Sequence, residues 1–332
     1  MHQSPELLIV KELSKHYHYY KSIFNLKKDI IKAVDNVSFE VKKGEIFSIV
    51  GETGCGKSTL SKLISGLIPM TSGAIFYDGT PLNYDLKGLR KKIQIVFQDP
   101  YSSLNPKKRL YKTVSLPAFK NKIVKRHEKA DFTASLLKKV GLDENYAFKF
   151  PYELSGGQRQ RVSIARSLSV KPELLILDEP VSALDVSVSA QILNLLIDLH
   201  EKDNITYIFI THDLKIVRHI ASRVCVMFGG KIMEISPANT FFENPAHPYS
   251  KILFESTLSY EPNKVIKFID LEEKTNTAGN NAPAGGCVYY QRCYAAKDIC
   301  RNQEPELKKI TGKDIFASCF FPFTEAEKYE MR

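Results

Sequence analysis

Short apolar runs, each ended by charge or glycine, set the rhythm of the first fifty residues. LLIVKEL (7–13) and IKAVDNVSFEV (31–41) predict strands, Lys42, Lys43 and Gly44 predict a turn, and EIFSIV (45–50) runs into a glycine-rich segment at Gly51. Beyond Lys57, the residues Leu60, Leu63, Ile64 and Leu67 recur at helical spacing, so strand, loop and helix are expected in succession.

From about Pro106 to Val170 the pattern turns helical and basic, with KNKIVKRHEKADFTASLLKKVGL (120–142) and LSGGQRQRVSIARSL (154–168), which predicts an inserted helical subdomain. Strand-like LLILDEP and TYIFITHD then alternate with the helical SAQILNLLIDLHEKD, and RVCVMFGGKIMEI predicts a hairpin turning at Gly229 and Gly230. The core is therefore expected to be α/β with a largely parallel sheet. Beyond Pro237 the signal weakens. NPAHPYS (244–250) is expected as loop, and EEKTNTAGNNAPAGG (272–286) as a flexible connector to a cysteine-bearing tail.

A chain of 332 residues with 43% hydrophobic content has enough material for one large core or two modest ones. The formal charge of +10 admits nucleic acid, an anionic membrane surface or a polyphosphate as partner. No charged start followed by an apolar stretch marks the N-terminus as a secretory signal. The apolar runs fall well short of the ~20 residues a membrane helix needs, so a cytosolic chain is expected.

The segment GETGCGKST satisfies G-x-x-x-x-G-K-[ST]. Its residues Gly51, Glu52, Thr53, Gly54, Cys55, Gly56, Lys57, Ser58 and Thr59 form a loop whose N–H groups can ring a phosphate at a helix N-terminus. Lys57 reaches the β- and γ-phosphates of such a ligand, and Ser58 offers a hydroxyl to Mg²⁺. LLILDE brings Asp178 and Glu179 to the C-terminal end of a buried strand, Asp178 as a Mg²⁺ partner and Glu179 as a general base for an attacking water. At LSGGQ, Ser155, Gly156, Gly157 and Gln158 open a second helix able to receive phosphate. Cys55 is read as a small filler rather than a reactive thiol, and Cys225 as a packing residue.

Two phosphate-binding helix starts exceed the needs of one ATP, and here the chain resembles the ATP-binding cassette (ABC) family, whose signature is similar to residues 154–158. The resemblance implies a P-loop NTPase fold: a RecA-like core, an antiparallel β subdomain and the inserted helical subdomain. It also implies a head-to-tail dimer with each ATP held between one cassette's P-loop and the other's signature. Gln98 in VFQDPYSSLNP resembles the Q-loop glutamine that contacts Mg²⁺ and water. Asp185 in SALD resembles the D-loop aspartate, His212 in ITHD the histidine at the γ-phosphate, and Tyr17 in LSKHY the aromatic that stacks on adenine, with Tyr19, Tyr20 and Phe24 close by. Glu179, His212, Gln98 and Lys57 form the implied catalytic set.

VFQDPYSSLNP, EPVSALDVSVSAQILNLL and HPYSKILF (247–254) are similar to the ATPase subunits of oligopeptide and dipeptide importers, and the EPVSALDVS wording to the F-type subunit of a D/F pair. That implies a D-type partner ATPase, two membrane-spanning permease subunits, an extracellular or periplasmic solute-binding protein, and a peripheral place on the cytoplasmic face of the membrane. Nickel or another small solute is the alternative cargo of the same subfamily. Nucleic acid is not an expected partner, because ribosome-associated relatives join two cassettes in one chain and chromosome-maintenance relatives insert a long coiled coil. The basic runs 107–109 and 120–126 lie in the helical subdomain, which in the family faces the membrane subunits, and are read as a solvated face.

Cys287, Cys293, Cys300 and Cys319 give Cys-x5-Cys-x6-Cys and a long gap, similar to the cysteine-rich C-termini of these importers, although Tyr294 stands where the family usually has proline. Four thiolates suit either Zn²⁺ or an iron–sulfur cluster, and some family members carry a [4Fe–4S] cluster here. The cassette is expected over residues 6–254, with its helical subdomain at about 106–170 and a small cysteine-rich extension over 255–332.

Overall fold

The computed structural model describes residues 5–22, 25–82, 88–258 and 285–323. Phe24, most of the expected connector 272–286 and the chain beyond Phe323 therefore lie outside the described residues.

Among the described residues, two sheets organise the chain. The smaller is antiparallel, ordered β2-β1-β4-β5, and is built from β1 (Glu6–Ser22), β2 (Asn25–Lys42), β4 (Ser72–Tyr77) and β5 (Thr80–Pro81). The larger is ordered β11-β12-β10-β9-β3-β8-β7-β6. Its strands are β3 (Ile46–Val50), β6 (Ile93–Val96), β7 (Leu174–Asp178), β8 (Thr206–Ile210), β9 (Arg223–Phe228), β10 (Lys231–Pro237), β11 (Lys308–Lys309) and β12 (Phe316–Ala317). From β9 through β3, β8 and β7 to β6 the neighbours run parallel. Every residue of β3, β7 and β8 is buried, as strands covered on both faces require, and this is why they read as unbroken apolar runs.

The helices are α1 (Lys57–Ile64), α2 (Leu89–Lys92), α3 (Pro100–Ser103), α4 (Leu110–Val114), α5 (Leu116–Lys120), α6 (Lys129–Lys139), α7 (Gly156–Leu168), α8 (Val186–Asp203), α9 (Leu214–Ile220), α10 (Ala238–Glu243), α11 (Pro248–Leu258) and α12 (Asp298–Asn302). In α8, Ile192, Leu196 and Leu199 face the core at helical spacing. None of the described helices is long and apolar enough to cross a membrane.

Among the described residues, three apolar clusters hold these layers. One joins the antiparallel sheet and α1 to the main sheet, a second packs the helices of the 110–170 region and α8 on β7 and β8, and a third lies between β9, β10, α11 and the C-terminal segment.

The structure corrects the sequence reading in two places. Residues 121–128, expected as helix, form turns before α6, and both basic runs lie largely outside regular helix. The expected loop 244–250 gives way at Pro248 to α11, because proline at the first helical position lacks an N–H that would be unpaired anyway. The C-terminal segment joins the main sheet, where β12 pairs antiparallel with β10 (Glu234 with Ala317).

Candidate functional site

The loop between β3 and α1 depends on glycine at two points of close approach. A Cβ on Gly51 (φ +152°) would stand 2.2 Å from the Met227 carbonyl oxygen, and one on Gly56 (φ +110°) 2.2 Å from that of Ala33. The loop is thus wedged between the β9–β10 hairpin and β2, and Gly230 N–H donates to the Cys55 carbonyl at 3.0 Å. Lys57 is buried, and its Nζ donates to the Gly51 and Glu52 carbonyls at 2.7 and 2.9 Å. Cys55 is buried and burial pushes its thiol up, which suits the filler reading.

Parallel pairing aligns Asp178 at the end of β7 with Ile210 at the end of β8, so both strands deliver their following residues to one edge. Ser58 and Ser61, one helical turn apart on α1, donate to Asp178 Oδ1 and Oδ2 at 3.2 and 3.0 Å. Burial pushes the Asp178 carboxyl up, against those two hydroxyl donors. At Glu179 the chain enters the left-handed region (φ +49°), a conformation that costs a non-glycine residue about 1–3 kcal/mol. The backbone is held there by Glu179 N–H donating to the Ile210 carbonyl at 2.9 Å.

The turn brings three of the expected catalytic side chains together. Gln98 Nε2 donates to Glu179 Oε2 at 3.0 Å, and His212 Nδ1 lies 3.1 Å from Glu179 Oε1. The Glu179 side chain is 15% exposed and that of His212 56%, so the carboxylate is shielded beneath an open imidazole.

The remaining expected residues stand apart from this group. Ser155 caps α7 in a reciprocal box, its Oγ accepting from Gln158 N–H at 3.3 Å and its own N–H donating to Gln158 Oε1 at 3.0 Å. Gly157 packs tightly against α8, where an added Cβ would meet Val188 Cγ1 at 2.4 Å. Asp185 caps α8, accepting from Val188 N–H at 2.9 Å. Tyr17 is 40% exposed on β1 with Lys15 Nζ 5.1 Å from its ring centre.

The four C-terminal cysteines line one cavity together with His247, Tyr289, Tyr290 and Phe320. Burial pushes the Cys293 thiol up to about 12 and that of Cys319 to about 11. Among the described residues, no three Cys, His, Asp or Glu side chains draw together closely enough to hold a metal ion. Cys225 is fully buried in β9, as a packing residue should be.

Two features at this site escaped the sequence reading. Ser61 was detectable as the i+3 neighbour of Ser58 on the same helix face. Arg292 was not: it pairs with Glu52 across 240 residues, with Nη1 to Oε2 at 2.8 Å and Nη2 to Oε1 at 2.7 Å.

A family model described as ABC transporter matches residues 34–182, and one described as the C-terminal region of oligopeptide/dipeptide transporters matches residues 233–300. The chain is 43% identical to a probable peptide ABC transporter ATP-binding protein of Sinorhizobium fredii, the match covering 92% of this chain and 87% of that one. It is 42% identical to the oligopeptide transport ATP-binding protein AppF of Bacillus subtilis, over 94% and 96% of the two chains. With the dipeptide transport ATP-binding protein DppF of Escherichia coli the identity is 40%, over 95% and 94%. Among solved structures, the dimeric post-hydrolysis cassette MJ0796 bound to ADP and Pi superposes with TM-score 0.62 at 32% identity, covering 70% of this chain and 98% of that one. The cassette cbiO1 of Clostridium perfringens gives 0.60 at 34%, covering 72% and 91%.

Proposed function

The chain belongs to the ATP-binding subunits of the oligopeptide/dipeptide ABC transporters, and on that premise we propose that it hydrolyses ATP at the Gly51–Glu179 edge to drive peptide import. The observation that carries the chemistry is the Glu179 carboxylate, held between Gln98 and His212 one residue beyond the Asp178–Ser58 contact.

Each side chain then has a task. Lys57 exchanges its two loop carbonyls for β- and γ-phosphate oxygens, and the loop N–H groups other than that of Glu52, which Tyr249 engages, take up the remaining phosphate charge. The Ser58 hydroxyl, the buried Asp178 carboxylate and the Gln98 amide are hard oxygen donors that suit Mg²⁺, which when bound neutralises charge on the transferring phosphoryl group. Glu179 takes the proton from the attacking water, Gln98 orients that water, and His212 contacts the γ-phosphate. Tyr17, exposed on β1, stacks on the adenine.

The signature at 155–158 and Asp185 act on a second cassette, a D-type subunit whose P-loop they face. Supporting this, the signature makes no hydrogen bond to its own P-loop among the described residues, and the related MJ0796 cassette is dimeric in its ADP-bound state. Two permease subunits and an external solute-binding protein complete the assembly, which places the chain peripherally on the cytoplasmic face of the membrane. The chain is divided into a cassette at 6–254, a helical subdomain at about 106–170 and an extension at 255–332, with one apolar cluster packing the helical region on β7 and β8 and another packing the extension on β9 and β10.

The reading of an iron–sulfur cluster, with zinc as the alternative, at Cys287, Cys293, Cys300 and Cys319 rests on the chemistry of four thiols lining one cavity. Among the described residues no three Cys, His, Asp or Glu side chains form a metal site, so the thiols as arranged do not fit a closed cluster, and no catalytic step runs through them.

One preparation tests the whole reading: the chain co-purified without oxygen with its permease subunits and a solute-binding protein, and assayed for ATPase activity. Peptides should stimulate turnover. Stimulation by nickel and not by peptides overturns the cargo, and a preparation lacking both iron and zinc removes the metal.

A further inference from the structure

The C-terminal part of the chain grips the P-loop at one residue. Glu52 follows Gly51, and its carboxylate accepts both arms of the Arg292 guanidinium at 2.8 and 2.7 Å. Its backbone N–H donates to the hydroxyl of Tyr249, on α11, at 3.2 Å. Side chain and main chain of the same loop residue are therefore tied to two different C-terminal elements.

Neither partner is loosely held. Phe228, Tyr249 and Tyr289 pack mutually with ring centres 4.9–5.1 Å apart, and the Arg292 guanidinium lies 5.2 Å from the centre of Phe228 and 5.9 Å from that of Tyr289. A second tie lies behind the loop, where Lys231 of the β9–β10 hairpin bridges Asp35 of β2 at 2.9 Å and Glu304 of the extension. Val288 covers Gly229 so closely that a Cβ there would meet its Cγ2 at 2.6 Å. The next residue, Gly230, donates to the Cys55 carbonyl. An unbroken chain of contacts thus joins the extension to the phosphate loop.

We propose that Arg292 and Tyr249 are positioning residues for nucleotide binding. Acting through Glu52, they hold the first turn of the P-loop open for phosphate, so α11 and the C-terminal extension together set the ATP affinity of the cassette. The carbonyl of Glu52 is one of the two that carry Lys57 Nζ, so fixing Glu52 also fixes where that ammonium waits. A loop freed from the clamp spends part of its time in other conformations, and apparent affinity falls by the competent fraction. The pair is partly open to water, Arg292 at 21% and Glu52 at 39% side-chain exposure, which limits the effect to about fivefold.

The inference rests on the ATP-binding reading and is tested on the full-length chain in its assembled transporter. Wild type, Arg292→Gln, Glu52→Gln and the double variant are compared for Kd of a fluorescent ATP analogue with Mg²⁺, and for KM and kcat. Arg292→Gln should raise Kd and KM about fivefold with kcat within twofold of wild type, and the double variant should be no worse than either single, because one interaction is deleted twice. Arg292→Lys, which keeps the charge but loses the fork, should fall between the two. Wild-type affinity in Arg292→Gln, a fall in kcat at constant KM, or additive losses in the double variant overturn the proposal. Should Arg292→Gln fail to fold, Tyr249→Phe removes one hydroxyl at constant packing, and unchanged affinity there overturns it equally. A wild-type chain that binds no analogue overturns the ATP-binding reading itself, and the clamp with it.

Discussion

Replacing Glu179 by glutamine isolates the proton-transfer step from everything else at the site. The amide matches the carboxylate in length and planarity, and the backbone bond from residue 179 to the Ile210 carbonyl is untouched. The two side-chain neighbours can adapt. Gln98 can turn its own amide to present oxygen to the new NH₂, and His212 can exchange tautomers, so the group closes without an orphaned donor. What is lost is a group able to accept the water proton. A positioned general base contributes about 10²–10⁴-fold, or about 3–5 kcal/mol of barrier. Glu179→Gln should therefore bind Mg²⁺–ATP with wild-type affinity and unfold at the wild-type temperature, while phosphate release in a single turnover slows at least a hundredfold. Release within tenfold of wild type, at full nucleotide occupancy, would refute the assignment of the base and leave Glu179 as a hydrogen-bonding partner of Gln98 and His212.

Two further outcomes probe the frame around the site. Gly56→Ala should cost roughly 2–5 kcal/mol in denaturant unfolding and abolish ATP binding, because its Cβ would press on the Ala33 carbonyl in a strained conformation. Gly54→Ala, where the Cβ points into open space at φ +84°, should cost no more than about 1–2 kcal/mol, and equal losses at both positions would refute the wedge argument. Burial alone would raise the Asp35 carboxyl, but Lys231, Lys32 and His16 outweigh it and hold the group at about 2. Since the folded value lies below the ordinary 3.8, this stability is present above pH 4 and drains away as pH falls toward 2. Asp35→Asn should accordingly flatten the acid limb of a stability–pH curve in that interval, and an unchanged slope would count against the network.

What the sequence made legible was the part governed by local physics. β3, β7 and β8 announce themselves because strands buried on both faces need apolar residues at every position, and the strand–glycine–helix order around Lys57 follows from backbone geometry alone. Gln98, Glu179 and His212 meet because each follows a strand of one parallel sheet, so their convergence was implicit once strand ends could be named. At the signature the structure shows the helix start that the sequence predicts. Ser155 and Gln158 satisfy each other as a capping box, which orients the start of α7 whether or not phosphate is near.

The C-terminal region was hidden for a physical reason. α11 begins at a proline that local pattern takes as a breaker, and β12 is two residues long, defined only by its pairing with β10. Arg292 sits among cysteines whose spacing suggests chemistry of their own, and nothing within its segment names a carboxylate 240 residues earlier. Its partner was misread in the same way. Glu52 occupies a variable position of the phosphate loop, where local reasoning assigns it only a backbone N–H for the ligand. The structure gives that N–H to Tyr249 and the carboxylate to Arg292. A variable position inside an otherwise constrained loop is where a cassette can attach parts of its own without disturbing the glycines or Lys57, and at Glu52 this chain has attached its C-terminus.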